Sequence, residues 1–205
     1  MKTNKERLRD FFARLDCPDY ITPEQNPNID LYMDQVTTFI DEHLGQSKRY
    51  EDDKVLTKTM INNYAKNNLL PPPVKKKYSR EHMLLLVFIY YFKNMLSFHD
   101  IEALFAPITE GHFMDASGLS LQDIYEEVFS MEYEQMKRLK EDLLRKFHAS
   151  EESFTDQKED KDYLQLFTFI CALGFDVFLK KQAMEMLIDQ IREDYPVDHS
   201  KKKKS

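Results

Sequence analysis

The chain has 205 residues, of which 42% are hydrophobic and 32% charged, so it can build one large domain or two small ones. Its four glycines and eight prolines are too few for the turns of a sandwich or barrel, which favours an all-α fold. The formal net charge of −7 argues against nucleic acid as a partner unless positive charge is concentrated in one region.

Cysteine usage and hydropathy bound the compartment in which the chain is expected. Cys17 and Cys171 lie far apart in unlike contexts, which is typical of reduced thiols. The charged residues near the N-terminus do not resemble a signal peptide. The apolar runs at 83–92 and 163–179 are short or interrupted, below the roughly 20 apolar residues of a membrane span. These features predict a cytoplasmic protein without a membrane segment.

Helical spacing of apolar residues begins near the N-terminus. Residues 2–15 predict a short amphipathic helix, and three prolines predict a loop over 17–28. Apolar residues over 30–44 again follow helical spacing, and Gly45 is a natural stop. We therefore expect an N-terminal helix and loop at 1–28 ahead of the first domain.

The stretch 57–67 predicts a helix with two unlike sides. Ile61 and Tyr64 belong to an apolar half that should face a core. The other half is polar and contains no acid. Asn68 follows where a helix end favours a left-handed residue, and the prolines at 71–73 cannot continue the helix. The polar half consists of Lys58, Thr59, Asn62, Asn63, Lys66 and Asn67.

Positive charge is concentrated around this helix. The segment 54–80 holds seven of the 29 basic residues and none of the 36 acidic ones. A polar, non-acidic helix beside basic groups on a rigid apolar bundle is what DNA binding requires. Residues 74–78 predict a short extended or hairpin-like segment that would grip the DNA backbone. The candidate contacts there are Lys75, Lys76, Lys77, Tyr78 and Arg80.

Capping signals divide the rest of the chain into helices. Ser79 predicts the start of an apolar, buried helix over 80–94, and Ser97 with Asp100 forms a capping box before the next helix. These elements complete an expected domain at 29–106, followed by a linker at 107–119.

The C-terminal half predicts a second helical module at 120–196. Ser120 and Asp123 form another capping box, and apolar residues keep a three-four spacing over 121–147. A last helical stretch covers 161–194, with a break expected near Gly174. Its aromatic part is apolar on more than one side, so one neighbouring helix cannot cover it. The Lys-rich tail at 197–205 is expected to be disordered.

Three runs in this order resemble the DNA-binding region of MerR-type regulators: MINNYAKNNLLPP, KKKYSREHMLLLVFIYYFK and MLSFHDIEALF. The resemblance implies a helix-turn-helix unit in which helix 57–67 reads DNA and 74–80 forms a basic wing. Tyr64 matches the family pattern, whereas Asn62 and Asn63 stand where that family has arginine and tyrosine. From LYMDQV through LTKTMINNYAKNNLLPPPVKKKYSREHM the chain is also similar to uncharacterised bacterial proteins carried as a domain of unknown function and described as transcriptional regulators.

No motif for chemistry is present in the sequence. The six histidines lack zinc-ligand spacing, and there is neither a phosphate-binding Gly-rich loop nor a nucleophile elbow, so no enzyme activity, metal or cofactor is expected. We predict an all-α regulator of transcription that binds double-stranded DNA. The alternative is a protein-interaction adaptor on a helix-turn-helix scaffold, because the overall charge is acidic. For the C-terminal half, a homodimer and an apolar-ligand site both stay open.

Overall fold

A computed structural model describes residues 2–15, 21–22, 24–113 and 118–196. Most of this part is helical, as the sequence predicts, and it contains one short antiparallel ladder. Cys17 and the expected disordered tail lie outside the described residues. The helices are α1 (Asn4–Leu15), α2 (Met33–Leu44), α3 (Lys58–Lys66), α4 (Arg80–Phe92), α5 (Phe98–Gly111), α6 (Leu121–Ser130), α7 (Glu132–Glu151) and α8 (Lys161–Asp194), with a 3₁₀ turn at Gly45–Ser47 and strands β1 (Leu31–Tyr32) and β2 (Lys77–Tyr78).

The chain forms two compact units that do not follow its linear order. The first unit contains Met1–Pro18 and Val128–Gln182, and the second contains Asp19–Glu127 and Ala183–Ser205. This division differs from the predicted one, which set the N-terminal helix apart and kept the C-terminal half together. Hydrophobic periodicity shows which face of a helix is buried but not which distant helix covers it.

The core of the second unit is built around α4. Every residue from His82 to Ile89 is buried, which confirms the predicted central helix. The Phe88 ring packs edge-on against Tyr125 of α6, with centroids 5.4 Å apart. The Tyr125 hydroxyl in turn donates to the carbonyl of Ile21 at 2.5 Å. Tyr125 therefore joins the start of this unit to its central helix.

Capping side chains begin the next two helices where the sequence predicts. The Ser97 hydroxyl and amide both donate to the Asp100 carboxylate, at 2.7 and 3.0 Å. Ser120 makes the same pair of bonds to Asp123, at 2.6 and 2.9 Å. The expected linker at 107–119 begins too early, because α5 continues through Pro107 to Gly111.

The first unit consists of α1, α7 and the N-terminal part of α8. Leu8, Leu143, Phe147 and Phe169 form its buried apolar cluster. The sequence predicts that the apolar residues of 121–147 form one continuous stripe. In the structure they divide between the two units, and Leu121 is buried in the second.

Helix α8 is continuous through Gly174, where a break was expected. Contrary to the sequence-based expectation, it is long and apolar enough to cross a membrane by length and composition. Core helices of soluble proteins pass the same test, but only 11% of the most apolar window of α8 is buried. An exposed apolar surface of this kind usually marks an interface with another molecule.

Candidate nucleic-acid interface

The polar side of α3 faces solvent because its apolar side is fixed in the core. The Thr57 hydroxyl caps the helix by accepting from the Met60 amide at 3.1 Å. Ile61 and Tyr64 are both buried, and the Tyr64 ring packs against Phe98 at 5.7 Å. All six predicted polar residues are exposed: Lys58, Thr59, Asn62, Asn63, Lys66 and Asn67.

Buried residues just before α3 hold its N-terminus in place. Val55 and Leu56 are buried, and the ammonium group of Lys93, at the end of α4, donates to the Val55 carbonyl at 2.5 Å. Burial lowers the pKa of Lys93. Lys93 thus anchors the segment before α3 through the Val55 carbonyl.

A left-handed residue ends α3, as the sequence predicts. Asn68 has a φ of 61°, and the amide of Leu69 returns to the Tyr64 carbonyl at 2.9 Å. The Asn67 side chain donates to the carbonyl of Asn63 at 2.8 Å. One of the predicted contact residues, Asn67, is therefore engaged in capping its own helix.

The basic segment after the prolines is a tight hairpin. Val74 and Lys77 exchange backbone hydrogen bonds of 2.9 and 3.0 Å, so Lys75 and Lys76 form a two-residue turn. Their φ angles of 51° and 65° make it a type I′ turn, which normally uses Asn and Gly. A lysine with a positive φ angle has a strained backbone, and backbone strain of this kind concentrates at functional sites. Both lysines are exposed at the tip.

The base of this hairpin is fixed to the segment before α2. Strand β2 pairs with β1 so that Tyr32 lies opposite Lys77. The Lys77 ammonium group lies 5.2 Å from the centre of the Tyr32 ring, a cation–π contact. Tyr78 is only 3% exposed, and burial raises its pKa. Tyr78 is consequently a core residue and not a surface contact, which corrects its inclusion among the candidate DNA contacts.

His82 joins the hairpin to the buried helix. Its Nδ1 accepts from the Ser79 amide at 3.0 Å, and its Nε2 lies 3.2 Å from the Pro71 carbonyl. Burial lowers the pKa of His82, while the bonds to the proline carbonyls oppose that shift. The neutral ring is the form that can accept at Nδ1 and donate at Nε2. His82 therefore holds both ends of the segment 71–79.

The start of α2 lies between α3 and the hairpin. Asp34, in its first turn, forms an ion pair with Lys58 at the start of α3. Two residues earlier, the Tyr32 ring carries Lys77 of the hairpin. Both basic elements thus contact the start of α2, which also adds a carboxylate next to Lys58.

The positive groups consequently differ in availability. Within the residues that the structure describes, no carboxylate pairs with Lys66, Lys75 or Lys76, and no group hydrogen-bonds the side-chain amides of Asn62 and Asn63. Lys58, by contrast, forms an exposed ion pair with Asp34. Arg80 is half-buried, and its carbonyl accepts from the buried Asn26 at 3.2 Å.

Sequence reasoning missed three residues that border the α3 surface. Phe98, His99 and Glu102 of α5 line a groove with Asn63 and Lys66. Their position follows from the packing of Tyr64 on Phe98, which no local pattern reveals. Asp34 was missed for the same reason, because it is distant in sequence from the acid-free segment.

The connection between α2 and α3 differs from a helix-turn-helix. Residues 45–57 separate the two helices, whereas that motif uses a turn of roughly three or four residues. Within the described ranges, no three His, Cys, Asp or Glu side chains are arranged to hold a metal ion.

One family comparison gives a match. Residues 21–128 match the family described as a domain of unknown function, DUF1836. The chain belongs to this family. The matched region contains α2 to α5 and both basic elements, and it ends shortly after Tyr125. The predicted likeness to an uncharacterised family is confirmed, and searches of curated proteins and solved structures give no match.

Proposed function

We propose that this member of DUF1836 binds double-stranded DNA and regulates transcription, with an arrangement like that of MerR-type regulators. The supporting observation is the exposed, acid-free side of α3 beside a hairpin with two lysines at its tip. A groove-reading helix needs polar side chains without negative charge, and a neighbouring cationic loop fixes its register on the phosphates.

In this proposal, α3 supplies the base contacts. Asn62 and Asn63 are exposed, and their amides can each donate and accept a hydrogen bond, the pattern that adenine presents in the major groove. Thr59 lies on the same side and can contact a thymine methyl group or a base edge. Lys66 extends the surface toward the phosphates.

The hairpin supplies contacts that carry no sequence information. Lys75 and Lys76 are exposed and unpaired within the described structure, so each can neutralise one phosphate. Because the strained turn is fixed at its base by β1 and His82, its backbone needs little ordering on binding, and the cost is confined to the two lysine side chains.

A salt titration with a random duplex tests the electrostatic part. The log of the binding constant should fall linearly with the log of salt concentration, and Lys75→Ala with Lys76→Ala should reduce the slope by about 0.9 per lost contact. Lys137→Ala with Lys158→Ala removes the same charge from exposed positions outside the second unit and serves as the control. An equal loss in both pairs would indicate a general charge effect and contradict the hairpin assignment.

Asp34 offers a test in which DNA affinity is expected to rise. Asp34→Asn removes the carboxylate that pairs with Lys58, so one more cation becomes available and DNA affinity should rise at low salt. Asp34→Glu keeps the charge and is the matched control. Unchanged or weaker binding by Asp34→Asn would place the DNA elsewhere.

Base readout is tested on a duplex selected from a random library. Asn62→Ala or Asn63→Ala should cost about 1–3 kcal/mol on the selected duplex and less on a random one. Equal losses on both duplexes would assign these residues to the backbone.

The second candidate function is that of a protein-interaction adaptor. It is favoured by the carboxylate of Asp34 beside α3 and by the half-exposed Phe98 with Glu102 in the adjacent groove. The low-salt titration separates the two functions, because an adaptor would show no duplex binding even where electrostatic attraction is strongest.

A further inference from the structure

The N-terminal part of α8 exposes large apolar side chains that no element described in the structure covers. Four of them on one side of the helix lie between 52% and 65% exposed. On the other side of the helix, Phe169 packs in the cluster with Phe147, and the Gln165 amide donates to the carbonyls of Glu151 and Ser153 at 2.6 and 3.0 Å. The four residues on the exposed side are Tyr163, Phe167, Ile170 and Val177.

These residues follow the spacing of a two-helix seam. Tyr163, Phe167, Ile170, Gly174 and Val177 are separated by four, three, four and three residues. Alternation of three and four keeps side chains on one narrow stripe of a helix and is the pattern of helices that pack lengthwise in pairs. We call this stripe the α8 seam.

Gly174 lies near the middle of the α8 seam, where its own chain gives no reason for a glycine. A Cβ atom built there would meet no atom within 4 Å. Glycine inside a helix costs about 1 kcal/mol relative to alanine, so an uncompensated one indicates that something else approaches closely.

We propose that the α8 seam is the interface of a homodimer in which two copies of α8 cross antiparallel midway between Ile170 and Gly174. When the two helices run antiparallel, Ile170 of one copy faces Gly174 of the other, and Phe167 faces Val177. A large side chain therefore fills the space above the glycine in two symmetric places. This inference does not depend on DNA binding.

The charges at the two ends of the seam favour the antiparallel direction. Asp160, Lys161 and Asp162 at its beginning are acidic on balance, and Lys180 and Lys181 follow its end. A parallel pair would place like charges side by side, whereas an antiparallel pair places each acidic end next to a basic end.

The exposed area is sufficient for an interface of this kind. Aromatic side chains offer on the order of 150–250 Å² each and aliphatic ones less, so the four seam side chains and the adjacent Phe178, all about half exposed, supply ~500 Å² per copy. Two copies would bury ~1,000 Å², the lower limit for a specific interface.

A second copy fits this surface better than a lipid bilayer. The side of α8 opposite the seam carries Asp176, which pairs with Lys146 of α7. A spanning helix would bring this ion pair, with Asp142 beside it, into hydrocarbon. The lipid alternative is retained as one outcome of the test.

Sedimentation equilibrium of the full chain measures the association directly. The wild-type chain should be dimeric at high micromolar concentration. Gly174→Leu should weaken the dimer by about a hundredfold or more, because each dimer carries the bulky residue twice opposite Ile170. The monomer tolerates leucine there, since the added side chain meets open space. Circular dichroism at low concentration checks that the variant is folded.

Leu179→Asp and Ile170→Asp form the matched pair for this measurement. Both residues are exposed apolar positions on α8, at 62% and 56%, but only Ile170 lies on the seam. Ile170→Asp should dissociate the dimer, and Leu179→Asp should leave it intact. A monomeric wild-type chain, or a dimer that Gly174→Leu does not weaken, would overturn the proposal.

Two further readouts separate direction and occupant. With both native cysteines replaced by serine, Ile170→Cys with Gly174→Cys should cross-link under oxidation, while neither single variant does; a cross-link through Ile170→Cys alone would mean a parallel pair. Flotation with phosphatidylcholine vesicles tests the lipid alternative. Salt-resistant flotation that Gly174→Leu does not reduce would assign the seam to a membrane and refute the dimer.

Discussion

Helices α4 and α8 are both apolar around most of their circumference, yet they have opposite surroundings. In α4 the residues from His82 to Ile89 are all buried. In α8 the apolar residues on one side join a cluster with α1 and α7, and those on the seam face solvent. The comparison shows that an all-round apolar helix predicts a need for cover, but the cover can come from the same chain or from another molecule.

The largest expected difference concerns leucine-to-alanine changes in the two helices. Leu85 is fully buried, so Leu85→Ala should lower the free energy of unfolding by about 2–5 kcal/mol. Leu179 is mostly exposed, and Leu179→Ala should change the free energy of unfolding by less than about 0.5 kcal/mol. Urea unfolding followed by circular dichroism measures both. Similar losses would show that α8 is covered in solution at this position.

A smaller effect is expected at the hairpin next to α4. Lys75→Asn with Lys76→Gly supplies the residues that a type I′ turn favours, so the free energy of unfolding should rise by about 1–2 kcal/mol. DNA affinity should fall at the same time, because two phosphate contacts are lost. The double alanine variant keeps the backbone strain and should lose affinity without gaining stability. A gain in affinity by the Asn-Gly variant would contradict the role of these lysines.

The pH dependence of stability should come from His82 in α4. Burial holds the pKa of His82 below its usual 6.5, so between the two values the unfolded chain binds a proton that the folded chain does not. The free energy of unfolding should therefore fall as pH is lowered below about 6.5, by at most about 1.4 kcal/mol per pH unit.

Two variants isolate this contribution in urea titrations across that range. His82→Gln should remove this part of the pH dependence. His99→Gln, at a histidine whose side chain is 88% exposed, should keep it. Identical profiles for wild type and His82→Gln would show that the ring does not titrate in this window.

The smallest effect concerns Gly174 in the monomer. Gly174→Ala should raise the free energy of unfolding by about 0.5–1 kcal/mol, because alanine favours a helix and its Cβ meets no neighbour. Thermal unfolding at a concentration below dimer formation measures this. A loss of stability would mean that the glycine serves its own chain and would weaken the case for close approach by a partner.

Local signals in the sequence predicted much of the second unit. The capping boxes of Ser97 and Ser120, the left-handed Asn68 and the buried helix α4 were all expected, because each depends on residues within a few positions of one another. The exposed polar side of α3 followed from the same short-range periodicity. The ladder between β1 and β2 was missed, since strands of two residues leave no pattern.

The amino-acid sequence by itself determined where α3 to α6 begin and which side of α3 is polar, because capping and amphipathicity act over one or two turns. Only the tertiary structure decided that Asp34 pairs with Lys58, that Tyr78 is buried and that α1 packs with α7 and α8. It also decided that one side of α8 stays uncovered. Each of these depends on contacts between residues distant in sequence, and the energy of such contacts arises only when the elements are packed together.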